Sequence, residues 1–166
     1  MQTKTLILAA LVAITEARFG QEGLIQNAVQ GLSAFGNPGQ AGSLAGQTPG
    51  VLLGGANACA KLSLADEIIA TLGTDPQVIA AAAQLVAAEK NFNPSAQDVP
   101  TICDDPTLPA TKALRGIVPL VDPAVDGAAV ENANSAASLK APLKDAGLSV
   151  AGIMAANGFT NLIKQT

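Results

Sequence analysis

SLADEIIATLGTDPQVIAAAAQLVAAEK, residues 63–90, decides the fold. Leu64, Ile68, Ile69 and Leu72 recur at helical spacing. Ser63 with Asp66 resembles a capping arrangement, and Gly73 is the stop. Asp75 is then a good N-cap, and Pro76 stands at the first helical position, where its missing N–H costs nothing. Val78, Ile79, Ala82, Leu85 and Val86 carry a second apolar face toward Lys90. Two helices joined by so short a turn predict an αα-hairpin.

QEGLIQNAVQGLSAF at 21–35 places Leu24, Ile25, Ala28, Val29 and Leu32 at helical spacing. Gly/Pro density predicts a loop over GNPGQAGSLAGQTPG, 36–50. Residues 91–107 read as a loop rich in Asn, Pro and Asp. A short helix is expected over 111–118, a turn over 121–127 and a helix over 128–139. Another follows from a Ser149 cap to Asn157 and Gly158, and a short tail helix over 159–164. No stretch shows sustained strand alternation. The expected fold is all-α, a small multi-helix bundle with a Gly/Pro-rich loop and one disulfide.

The chain opens MQTKTLILAALVAITEA. Lys4 supplies a positive start, Leu6 to Ile14 an apolar run, and Thr15 and Ala17 small residues three and one before a cut. Residues 1–17 therefore read as a signal peptide and 18–166 as a single secreted domain beginning at Arg18. The apolar run is too short for a membrane anchor, which needs about 20 residues, and no transmembrane segment is expected later.

Composition narrows the chemistry. Hydrophobic residues make up 49% of the chain and aromatics 2%, with no Trp, Tyr or His. Much of the apolar content is Ala, which buries little area per residue, so core stabilisation is modest. The two cysteines, Cys59 and Cys103, pair as a disulfide if the chain is secreted. A loop of about 45 residues closed in this way is worth roughly 4 kcal/mol in the chain-entropy model.

The absence of His removes Ser-His-Asp and Cys-His catalysis and the usual Cys/His zinc sites. No enzyme, cofactor or metal site is expected. The formal net charge of −4, without basic clusters, argues against nucleic acid as a partner. The adjacent acids Asp104 and Asp105 have the residue types for glycoside hydrolysis or calcium binding. Such pairs are more often turn and cap residues, and Asp66 with Glu67 more often a solvated first-turn pair. GNPGQAG lacks the Gly-Lys-Ser/Thr ending of a phosphate loop. Asn57-Ala58-Cys59 is a poor glycosylation acceptor once Cys59 is bridged, and Pro94 blocks Asn93. Ser and Thr within 43–48 are unspecific O-glycan candidates.

The stretches ARFGQEGLIQNAVQGL, FGNPGQAGSLAGQTPGVLLGGANACAKLSLAD and LRGIVPLVDPAVDGAAVENANSAASL together resemble small secreted proteins of filamentous ascomycete fungi, many from plant- or insect-associated species. The likeness spans nearly the whole mature chain but carries no catalytic residues. It implies an extracellular or cell-wall role, with an unknown host or cell-wall component as partner, and candidacy as an effector in host colonisation. Two alternatives stand beside it. Ala/Leu-rich helices and positive mean hydropathy suit a carrier or surface binder of lipids or other apolar ligands. A His-free hydrolase would need Asp104 or Asp105 within about 5–10 Å of another carboxylate.

Overall fold

The computed structural model describes residues 21–91 and 97–166. The region that decides the fold forms α3 (Ala60–Leu72) and α4 (Pro76–Ala87). The expected stops and starts are present. Gly73 takes φ 99° while its N–H returns to the Ile69 carbonyl, and the Asp75 carboxylate accepts from the Gln77 N–H at 2.9 Å. The start of α3 differs from expectation. It begins three residues before Ser63, directly after Cys59, and Asp66 does not cap it. A helix α1 (Gln21–Gln30) lies within the expected 21–35.

The Gly/Pro-rich segment corrects the loop expected over 36–50. From Gln40 onward it belongs to α2 (Gln40–Leu52), with Pro49 inside the helix. A proline here leaves the carbonyl four residues back without its backbone donor. That carbonyl belongs to Ala45, and the buried Thr48 hydroxyl donates to it at 2.8 Å. The helix also has a reason to exist: Ala41, Leu44, Ala45, Thr48 and Leu52 form one buried face. Contacts run from α1 to α2, α2 to α3, α3 to α4 and back from α4 to α1, so these four helices close a ring around the main core. Val29, Ala45, Leu52, Leu62, Ile68, Leu85 and Val86 fill it.

The C-terminal half is tied to α3 and α4 of this ring, through Cys59, Asp66 and the Ala87 carbonyl. A 3₁₀ turn (Lys112–Leu114) replaces the helix expected over 111–118: Arg115 is already extended, and Gly116 follows at φ +84°. Helices α5 (Ala128–Ser138) and α6 (Val150–Ala156) match expectation, and the Ser149 hydroxyl accepts from the Gly152 N–H at 3.0 Å. The expected tail helix is instead a strand. Here β2 (Ile163–Gln165) runs parallel to β1 (Thr101–Cys103), in the register Thr101↔Ile163 and Cys103↔Gln165. A helix confined to 159–164 is too short to hold by itself, whereas pairing gives the Gln165 carbonyl the Asp104 N–H at 2.7 Å. The fold is thus mainly helical with one small two-stranded sheet. Among the described residues, no helix is long and apolar enough to cross a membrane.

Candidate functional site

Cys59 and Cys103 are joined in a disulfide spanning 44 positions. The bridge ties the start of α3 to the end of β1, and both cysteines are buried. β2 locks over it. The Gln165 side chain accepts the Ala58 N–H at 2.8 Å, and the Gln165 carbonyl lies 3.4 Å from Cys59 Sγ. Asn57 belongs to the same corner. Its Oδ1 accepts the Cys59 N–H at 2.7 Å, and its Nδ2 donates to the Thr166 carbonyl at 3.4 Å. The signal region and Asn93 lie outside the described residues.

The other acids singled out from the sequence sit in separate structural roles. Asp104 accepts from the Ser149 hydroxyl at 2.6 Å and lies 3.4 Å from Lys164 Nζ. Asp105 turns away and accepts both the backbone N–H and the hydroxyl of Thr107, which hold its carboxyl below its usual range. Asp66 is not the solvated partner of Glu67. Its two oxygens accept the N–H groups of Ala110 and Thr111 at 2.7 and 2.9 Å, tying the 108–111 loop to α3. Asp66→Ala leaves two backbone donors without their acceptor. It is expected to cost about 2 kcal/mol, read as a fall in the urea midpoint. An unchanged midpoint would show that water replaces the carboxylate without loss. Among the described residues, no group of three His, Cys, Asp or Glu side chains is placed to hold a metal ion.

Two buried ionisable groups were not singled out by sequence reasoning. Lys61 is buried, and its Nζ donates to the Val86 and Ala88 carbonyls at 2.9 and 2.6 Å. The neighbouring Ala87 carbonyl accepts from the Leu120 N–H at 2.9 Å. Partners from distant parts of the chain thereby satisfy the buried end of α4, where helix carbonyls otherwise lack donors. Burial, with the Lys90 charge adding to it, lowers the Lys61 amine to about 7. A sequence signal existed, since Lys61 shares a helix face with Ala65, Ile68 and Leu72. Glu131 of α5 is fully buried, and neither of its oxygens reaches a hydrogen-bond partner among the described residues. Burial raises its carboxyl to about 8. The neighbouring Asn134 side chain tempers the rise, and its Nδ2 donates to the Asn157 carbonyl at 3.0 Å.

The described residues also line several concavities. A cavity of about 20 Å³ beside Lys61, Ile102 and Val121 has room for a single water. An apolar groove of about 230 Å³ is formed by Leu24, Ile25, Ala87, Ala88, Leu120 and Leu139. A polar groove of about 460 Å³ lies between α2 and α3. Comparison with protein-family models, with curated proteins and with solved structures returned no match.

Proposed function

We propose that this chain is a small secreted, non-enzymatic protein that acts through its surface, at a cell surface or cell wall or on a host. The observation that best supports it is the fate of the acids. Asp66, Asp104 and Asp105 each hold backbone or side-chain donors of the scaffold, an arrangement suited to shape rather than acid–base work. The buried disulfide suits an oxidising compartment, and the fungal resemblance points the same way. The test is expression of residues 1–166 in a secreting fungal host. Protein in the medium should begin at Arg18 and have the intact mass of the bridged form. Retention in the cell with residues 1–17 attached would overturn secretion. Deletion of the gene followed by scoring of host colonisation tests the effector role, which unchanged virulence under several conditions would remove.

A specific observation also favours binding of apolar ligands. Leu24 and Leu139 are 67% and 45% exposed on the rim of the apolar groove. The site is open and shallow, so an acyl chain would lie along the surface instead of inside the helix ring. Titration with a fluorescent fatty acid, using Leu139→Ser as the control, tests this reading. Equal signals from both proteins would end it.

A further inference from the structure

We infer that the polar groove between α2 and α3 is a binding site for an uncharged, hydroxyl-rich ligand, a segment of a neutral saccharide chain. On α2, Gln40, Ser43 and Gln47 follow one another at three- and four-residue spacing and so share a face. On α3, Glu67 and Thr71 are four apart and face the same groove. Buried Leu44 lies at its base. The groove, about 460 Å³ in volume, is open along the surface, and its wall is polar where most small-molecule sites are apolar.

Two contacts fix what the wall presents. The Asn37 N–H donates to Gln40 Oε1 at 2.6 Å, so the near atom of that amide is its oxygen and the NH₂ is left as a donor. Gln47 Nε2 points back to the Ser43 carbonyl at 3.5 Å, which leaves Gln47 Oε1 as an acceptor. The hydroxyls of Ser43 and Thr71 donate and accept, and the Glu67 carboxylate accepts. None of these three side chains has a partner among the described residues. A mixed row of donors and acceptors matches vicinal sugar hydroxyls, each of which also does both. The lining contains no Lys or Arg, and Glu67 adds negative charge, so phosphate, sulfate and uronate ligands are disfavoured. No aromatic ring lines the groove to stack on a sugar face, so affinity rests on hydrogen bonds and a dissociation constant of about 1 mM is expected.

The inference deepens the surface-interaction reading and rests on it. The two fail separately, because binding is measured on purified protein and secretion on protein from the medium. The experiment is an amide chemical-shift titration with laminarihexaose, cellohexaose and chitohexaose, and with the cationic glucosamine hexamer. At least one neutral hexamer should shift the amides of Gln40, Ser43, Gln47 and Thr71 at millimolar concentration. Gln47→Ala and Thr71→Ala should each weaken binding about fivefold, the equivalent of one net hydrogen bond. Glu67→Gln should leave neutral binding within about threefold, since an amide oxygen still accepts. Leu139→Ser, on the other groove, should change nothing. Absence of shifts from every neutral hexamer overturns the site. So does a response to the glucosamine hexamer alone, abolished by Glu67→Gln, which would assign the groove to cations.

Discussion

Replacing Cys59 and Cys103 together with alanine is expected to lower stability by about 4 kcal/mol, the chain-entropy value for a loop closed between cysteines 44 positions apart. Domains of this size are stable by only about 5–15 kcal/mol in total, so the loss is a large fraction of the whole. The effect should be large because the rest of the fold offers little reserve. Alanine supplies much of the core, and only 2% of residues are aromatic. The bridge also backs the sheet, since Gln165 rests on the Cys59 corner through the Ala58 N–H. Urea unfolding of the oxidised protein and of the double variant measures the difference. The slope should be steeper in the variant, because the unbridged chain exposes more surface on unfolding. A loss below about 1 kcal/mol would mean that strain or residual unfolded structure cancels the entropic gain.

A second large effect is expected from pH. The Glu131 carboxyl is raised from 4.5 to about 8 in the folded protein. The folded state therefore holds a proton that the unfolded chain has already released. The stabilisation is complete below pH 4.5 and is lost as pH climbs to 8. At about 1.4 kcal/mol per unit, stability should fall by about 3 kcal/mol between pH 5 and 7.5. Lys61 acts on the other limb. Its amine is lowered from 10.5 to about 7, so the unfolded chain binds the extra proton between those values. Stability should rise again as pH climbs from 7 toward 10.5. The two groups together predict a valley near pH 7–8 and a maximum on the acid side. Glu131→Gln keeps the side-chain shape but cannot ionise. It should match the wild type at pH 5, exceed it by about 2–3 kcal/mol at pH 7.5 and flatten only the acid limb. Urea midpoints across pH 4.5–9 test this. A wild-type midpoint that climbs from pH 5 to 7.5 would show that Glu131 is solvated in the folded protein.

The hairpin of α3 and α4 was legible because the apolar period, the Gly73 stop and the Asp75 cap agree, although α3 starts at Ala60 and not at Ser63. The bounds of α6 were legible for the same reason, from Ser149 to Asn157. Helix α2 was hidden. Its buried face consists of Ala41, Leu44, Ala45, Thr48 and Leu52, and four glycines and prolines between Gly42 and Gly50 outweigh that face in any local reading. The carbonyl left without a donor by Pro49 is met by the Thr48 hydroxyl, a contact visible only in three dimensions. Strands β1 and β2 were illegible because three residues show no alternation and their partner lies far along the chain. At the site level, the cysteines identified themselves once secretion was assumed. Glu131 did not, because the residues around it on its helix face, Ala128, Ser135 and Ser138, form no apolar stripe to mark the position as interior.

The parallel pairing of β1 with β2 imposes an order on biosynthesis. During translation, Cys103 leaves the ribosome long before Ile163–Gln165 has been made, and N-terminal units of a chain generally organise first. The four-helix ring can therefore assemble, and Cys59 can meet Cys103, while the strand that later covers them does not yet exist. Under the proposed secretion, folding catalysts of an oxidising compartment would have their access to these sulfurs in that interval. Docking of β2 closes it, and the bridge passes from a bond still open to exchange to one sheltered by the finished fold.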